Sequence, residues 1–289
     1  MFGWRSKNEI KVTSLQMFVR EVSKIRAAWL EDPADELWFR GEDEKHHDTT
    51  LIPELYRSKK TLDEVLEKEE QLFEEFKRCG VQYSDFDPDD EWNWYFMMQH
   101  HGGPTRLLDW SDGSLMAVHF AIRSKTTADE LKTGAVVYLL DPHWLIDFID
   151  EQEEIKEHRR IWDDKPKTKL IPEGEREEEY EQLWLPGDED VFREDPLPTH
   201  PFLLRTEQIT RRVAAQRSRF MVFGTDREYL RKLLRSKDAK IREIRIPAEC
   251  IPKMQIDLRD CGITESVIFP DLDGMGREIK QLWQQFKAR

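Results

Sequence analysis

Gln99 to Trp110, QHHGGPTRLLDW, packs two adjacent histidines, two glycines, a proline, an arginine and an aspartate into twelve residues. On its N-terminal side, DPDDEWNWYFMMQHH has aromatic and methionine side chains on several faces and predicts a helix from Asp89 or Asp90, buried on more than one side. On its C-terminal side, DGSLMAVHFAIRSK predicts another helix with Leu115, Val118, Phe120 and Ile122 largely buried. The stretch therefore joins two core helices, and two accounts of it stand side by side. In one, His100 works as an acid–base group or polar orienter, Arg106 holds an anion, and the N–H groups of Gly102 and Gly103 form an anion nest. In the other, Arg106 pairs with Asp109, Thr105 caps the next turn, and Trp110 plugs the core.

Outward from this centre, helices and strands mix without regular alternation. VTSLQMFVREVSKIRAAWL predicts a helix capped by Thr13 or Ser14, with Leu15, Phe18, Val22, Ile25 and Trp29 on one face. Leu37-Trp38-Phe39 reads as a short buried strand ending near Arg40 and Gly41. Residues 61–80 carry a Thr61/Glu64 capping box, an apolar face and a closing Gly80. GAVVYLLD reads as a central strand, Arg219 to Phe223 and IREIRIPAE as further strands, and REYLRKLLRSK as an amphipathic helix. GITESVIFPDLDGMGREIKQLWQQF reads as a strand, a turn and a terminal helix.

The fold class is therefore α+β, with a mixed sheet assembled from distant segments and helices clustered in the N-terminal half. The expectation is one domain over residues 1–289, with an acidic, irregular excursion at about 147–200.

Composition narrows the function classes. The chain of 289 residues has 59 acidic against 45 basic side chains, a net charge of -14. Such a field disfavours non-specific attraction to nucleic acid or an anionic membrane. Three cysteines without CxxC spacing argue against a disulfide framework, and a cytoplasmic location is expected. The N-terminal MFGWRSKNEIKV lacks the apolar core of a signal peptide, and no run of about 20 apolar residues is present.

In FRGE, Arg40 to Glu42, a guanidinium beside a residue without a side chain can fork onto a phosphate while a ligand approaches the backbone. The competing account is an arginine that braces the fold through a carboxylate. His46 and His47 neighbour carboxylates but diverge along the chain, and Asp271 and Asp273 in FPDLDG fit caps of the terminal helix better than a metal loop. No metal is expected.

These stretches together resemble the FRG-domain family, named for the aromatic-Arg-Gly motif, here Phe39-Arg40-Gly41. The family's QHxGxPTRLLDW pattern is matched by Gln99, His100, Gly102, Pro104 to Asp109 and Trp110. AVHFA at Ala117–Ala121 and FPDLDG at Phe269–Gly274 also match. RVAAQRSRF, Arg212 to Phe220, follows a late RIxxQxGxF pattern with Ser218 where the family often has glycine. The family is associated with bacteria and phages, in settings suggestive of defence.

A second likeness is to ADP-ribosyltransferases of the arginine–serine–glutamate type, which have an aromatic-Arg-Gly strand and then a Ser/Thr motif leading into a helix. It implies NAD as substrate, Arg40 gripping its pyrophosphate, Thr105 or Ser111 beside the nicotinamide ribose, and a carboxylate stabilising the transition state. No glutamate follows Glu207 on the late strand, which leaves Glu207 or Glu265 to serve.

The resulting expectation is a nucleotide- or NAD-type ligand cleft. Gly41, Gln99, Ser111 and Gln216 join Arg40, Thr105 and Arg106 as ligand contacts, and His100, Asp109 and Glu207 are the candidate catalytic groups. A non-catalytic module that recognises a nucleotide, a nucleic acid or a protein is the alternative.

Overall fold

The computed structural model describes residues 9–83, 91–125, 129–151, 184–187, 197–204 and 215–287. The central stretch is a helix, a turn and a strand. Helix α3 (Glu91–His100) ends inside it, and strand β3 (Leu107–Ser111) makes its second half. The strand arises from alternation: Leu108 and Trp110 enter one core and Leu107 another, while Asp109 is exposed between them.

Seven strands form one mixed sheet. In chain order they are β1 (Glu9–Lys11), β2 (Trp38–Asp43), β3, β4 (Ala135–Leu140), β5 (Phe202–Leu204), β6 (Ser218–Val222) and β7 (Ile241–Ile246). Their spatial order is β1-β7-β4-β2-β3-β6-β5, and every neighbouring pair is antiparallel except β1 with β7. All six residues of β4 are buried, as its unbroken apolar run requires of a strand covered on both faces.

Helices cover both faces. On one, α1 (Leu15–Trp29), α4 (Ser114–Ile122) and α7 (Ile251–Asp260) bury Phe18, Val118 and Met254 against Phe39, Val137 and Ile244. On the other, α5 (Pro142–Asp150) and α6 (Tyr229–Arg235) pack Leu145 and Leu230 against Trp38, Tyr138 and Met221. A third cluster joins α2 (Leu62–Gly80) and α3 to the β5–β6 edge through Phe73, Tyr95, Phe202 and Phe220. The two caps resolve as Ser14, whose hydroxyl accepts from the Met17 N–H at 3.2 Å, and a complete Thr61/Glu64 capping box. Helices also continue well past the N-terminal half, and most of residues 147–200 lie outside the described residues.

Two boundaries differ from the sequence reading. Arg40 and Gly41 lie in the middle of β2, not at its end, because β2 pairs with β4 through Asp43. The expected late strand around Glu265 is instead a short helix, α8 (Glu265–Ile268), followed by α9 (Leu272–Lys287). The helical turn lets Glu265, 2% exposed, reach His119 at 3.2 Å, Arg123 at 3.1 Å and Arg277 at 3.0 Å. Asp271 accepts the Gly274 N–H at 2.7 Å, so it caps α9 as its position suggests.

Burial opposes ionisation of Glu265, but His119, Arg123 and Arg277 outweigh it and bring its pKa from 4.5 to about 2. A depressed carboxyl stabilises the fold above its ordinary pKa, and that contribution is lost as pH falls through 4.5 toward 2. It amounts to about 3 kcal/mol. Urea melts of the wild type between pH 5 and pH 2 are expected to lose that stability. Glu265→Gln, already less stable at neutral pH, is expected to show a shallower acid slope, and equal slopes would show that Glu265 is not the group responsible.

Candidate functional site

The sheet opens where β2 meets β3. Their ladder holds one residue pair, Phe39 with Ser111, whereas β2 pairs with β4 along all six of its residues. Beyond that pair the Arg40 side chain spans the gap and donates from Nη1 to the Asp109 carbonyl at 2.6 Å. Its Nε donates to Glu42 at 2.7 Å, and Glu42 is in turn held by Thr50 and the Leu51 N–H. Arg40 thus replaces a strand–strand hydrogen bond with a side-chain bridge. A cleft of about 530 Å3 lies here, lined by Arg40, Gly41, Gln99, His100, Asp109, Ser111 and Gln216. Phe120, Phe220 and Phe269 supply aromatic wall, and Arg123 and Ser124 add polar groups.

The turn after α3 is built for order. Gly102 adopts φ 83°, a left-handed conformation that ends the helix. The N–H of Gly102 donates to Gln99 O at 3.1 Å and that of Gly103 to Met98 O at 2.8 Å. Both donors are consumed by the helix end, so the anion nest anticipated for them is not formed. Thr105, fully buried, donates from Oγ1 to Gln99 Oε1 at 2.5 Å and accepts the Leu107 N–H at 3.1 Å. The Gln99 amide then donates to Asp109 Oδ2 at 2.7 Å. This relay fixes which way the Gln99 amide points and presents an exposed Asp109 carboxylate to the cleft beside half-buried His100. Thr105 is therefore a positioning residue behind the cleft rather than a ligand contact.

Arg106 is the clearest correction. It is fully buried and does not line the cleft. Its Nε donates to Glu69 Oε2 at 2.5 Å, and its terminal nitrogens donate to Trp184 O at 2.7 Å and Phe223 O at 3.3 Å. Its backbone N–H reaches Glu69 at 2.8 Å and the Tyr95 hydroxyl at 3.0 Å. Burial alone would lower the Arg106 pKa, but the Glu69 carboxylate reverses this and raises it. Burial and then Glu69 raise the Tyr95 phenol well above its ordinary value. The expected Arg106–Asp109 pair is thus replaced by two separate pairs, Arg106–Glu69 and Gln99–Asp109.

Gly41 also has a structural reason. A Cβ there would fall 1.9 Å from the Ala117 carbonyl oxygen and 2.7 Å from the Ala121 nitrogen. The missing side chain lets α4 lie directly on β2, so close helix packing requires the glycine, which also lines the cleft. Ser111 Oγ donates to Gln216 O at 2.8 Å and accepts the Gly113 N–H at 3.1 Å. It pins the segment entering β6, where Arg217 takes φ 51°. The left-handed residue thus falls one position before Ser218, which is already in β6. The Gln216 amide donates to Ile268 O at 3.4 Å. Glu207 lies outside the described residues, and Glu265 is committed to its three basic partners. Asp109 is the one carboxylate among the described cleft-lining residues.

Residues 35–130 match the family model of the FRG domain. The chain contains an FRG domain. The matched segment covers about a third of the chain and runs from β2 through α4, so it holds Arg40, Gly41, Gln99, His100, Asp109 and Ser111. Gln216 and Phe269 close the FRG cleft from outside it. The chain matches no curated protein and no solved structure. Among the described residues no group of side chains is arranged to hold a metal ion, and no helix is long and apolar enough to cross a membrane.

Three residues of the FRG-domain architecture escaped the sequence reading. Phe120 and Arg123 were visible only as part of a helix. Glu69 had a signal: Val65, Glu69 and Phe73 recur four residues apart on the buried face of α2, and a carboxylate in such a row needs a buried cation.

Two variants test these assignments by denaturant unfolding. Gly41→Ala is expected to cost about 1–3 kcal/mol through the clash with α4; a neutral effect would return Gly41 to a ligand-facing role. Arg106→Met leaves Glu69 buried and uncompensated and is expected to cost about 3–5 kcal/mol, with Glu69→Leu recovering part of it in the double variant. Additive losses would contradict a coupled pair.

Proposed function

We propose that the FRG cleft binds a nucleotide of the NAD type and uses Asp109 on the bond between nicotinamide and ribose. The observation that carries this reading is the convergence of Arg40, Gln99, His100, Asp109, Ser111 and Gln216, from separate segments, on one cleft with aromatic walls. A volume of about 530 Å3 suits a nucleotide-sized ligand. Phe120, half-buried in the cleft lining, supplies aromatic surface for a base to pack against. Arg40, with Nε and Nη1 engaged by protein, still has further N–H donors in its fork for a phosphate oxygen.

In such a site the C–N bond breaks with its electron pair going to the departing nicotinamide, and positive charge grows on the ribose. A fixed carboxylate stabilises that charge, and an acceptor oxygen closes the new bond after losing its proton to a base such as His100. Asp109 is suited to the task because Gln99 and Thr105 hold it in place. Arg40 and Ser111 lie on neighbouring strands β2 and β3, with β6 next in order, and that adjacency supports reading them as the arginine and serine of the arginine–serine–glutamate pattern.

A second reading, a recognition module without turnover, is favoured by one observation. The late strand enters with Gln216 near the place where that pattern calls for glutamate, and a neutral amide does not supply the charge.

Purified protein incubated with NAD separates the two. The expected outcome is nicotinamide release that falls at least roughly 10²-fold in Asp109→Asn, with NAD still raising that variant's Tm. A Tm shift without release supports the recognition module. No shift with NAD, ADP-ribose or mononucleotides at millimolar concentration would overturn the nucleotide assignment.

A further inference from the structure

Helix α9 shows an apolar stripe that stays exposed among the described residues. Leu272, Met275, Ile279, Leu282 and Phe286 follow one another at spacings of three and four residues, the a/d pattern of a coiled-coil seam. Their exposures are 89, 48, 59, 50 and 70%, and Trp283, 54% exposed, stacks on Phe286 with ring centroids 5.6 Å apart. The helix is nevertheless firmly placed. Arg277 and Glu278, on its inner face, bond to Glu265 at 3.0 Å and to the Ser266 N–H at 2.8 Å. An anchored inner face beside a bare apolar outer one is the form of an interface.

We propose that the chain forms a two-fold homodimer in which α9 packs antiparallel against α9 of a second copy. Area favours this occupant. At roughly 200 Å2 for a large apolar residue, the six exposures leave about 700 Å2 of one face uncovered. That exceeds the roughly 300–600 Å2 of the largest apolar patch on a typical monomer. Two such faces come to about 1,400 Å2, within the roughly 1,200–2,000 Å2 of stable interfaces.

Charge selects between partners. The chain carries a net charge of -14, yet from Met275 to Phe286 the exposed side chains of α9 include no carboxylate. Asp271 and Asp273 are exposed beside Leu272 at the start of the seam, so it is the stretch from Met275 to Phe286 where two copies can meet without direct acidic repulsion. An anionic membrane, by contrast, is repelled by the rest of the surface, and Lys280 is the one exposed cation along that strip among the described side chains. Antiparallel pairing sets opposite helix dipoles side by side and makes the contact isologous, with Ile279 facing Leu282 and Met275 facing Phe286 of the partner copy.

Sedimentation and light scattering on the full chain, over a concentration series from about 1 to 100 µM, test the proposal by mass action. The expected mass is twice 34.6 kDa at the upper end. Met275→Glu and Phe286→Lys are each expected to weaken the dimer at least tenfold without altering the circular dichroism spectrum. The double variant, which places opposite charges together only in antiparallel pairing, is expected to recover much of the loss. A wild type that stays at 34.6 kDa throughout, or a dimer indifferent to these substitutions, overturns the proposal. So does a double variant no tighter than the single ones, or a monomer that binds anionic vesicles through α9. None of these readouts depends on what the cleft binds.

Discussion

The buried pair between Arg106 and Glu69 holds together the parts that make the cleft. Glu69 comes from α2 and Arg106 from the turn before β3, and the guanidinium also takes the carbonyls of Trp184 and Phe223. One side chain thus ties a helix, a strand and two loops to a single point. A charge in that position is costly to desolvate, and only the density of bonds around it offsets the cost. What such a pair supplies is geometry: Glu69 and the carbonyls of Trp184 and Phe223 together fix the start of β3 against α2.

From that fixed point the cleft is determined. With β3 held against β6 and α2, its contact with β2 shrinks to one residue pair, and Arg40 bridges what remains. Gly41, on the same strand, admits α4 to the sheet from one face. The FRG triplet therefore does two jobs at adjacent positions of one strand: the arginine spans an opening, and the glycine permits a close contact beside it. Gln99, Thr105 and Asp109 complete the floor by a relay in which no amide or hydroxyl is left to choose its own orientation.

The sequence made some of this legible. Thr61 with Glu64, Ser14 before an apolar periodicity, and the run GAVVYLL each announce themselves locally, because a cap or a two-sided burial leaves a mark within a few residues. The density of unusual residue types in QHHGGPTRLLDW marked the centre of the site. Local pattern did not divide the labour within it. Gln99, His100 and Asp109 face the cleft, while Thr105 and Arg106 are buried behind it, a sorting that for Arg106 is set by partners 37 to 117 positions away. The structural role of Glu265 was hidden for the same reason: its neighbours read as a strand, and only its pairing with His119, Arg123 and Arg277 explains why the chain turns helical there to bury an acid.

Phe269 lies between two guanidiniums, Arg123 at 4.4 Å and Arg277 at 4.6 Å from its ring centre, and both arginines share the Glu265 carboxylate. Arg123 belongs to the wall of the FRG cleft, whereas Arg277 belongs to the C-terminal helix. A single acid thus serves as common counter-ion to the cleft wall and to the C-terminal helix. Were a negative charge in the cleft to draw Arg123 away, the carboxylate would be left more to Arg277, and linkage would make that effect mutual between the cleft and the helix.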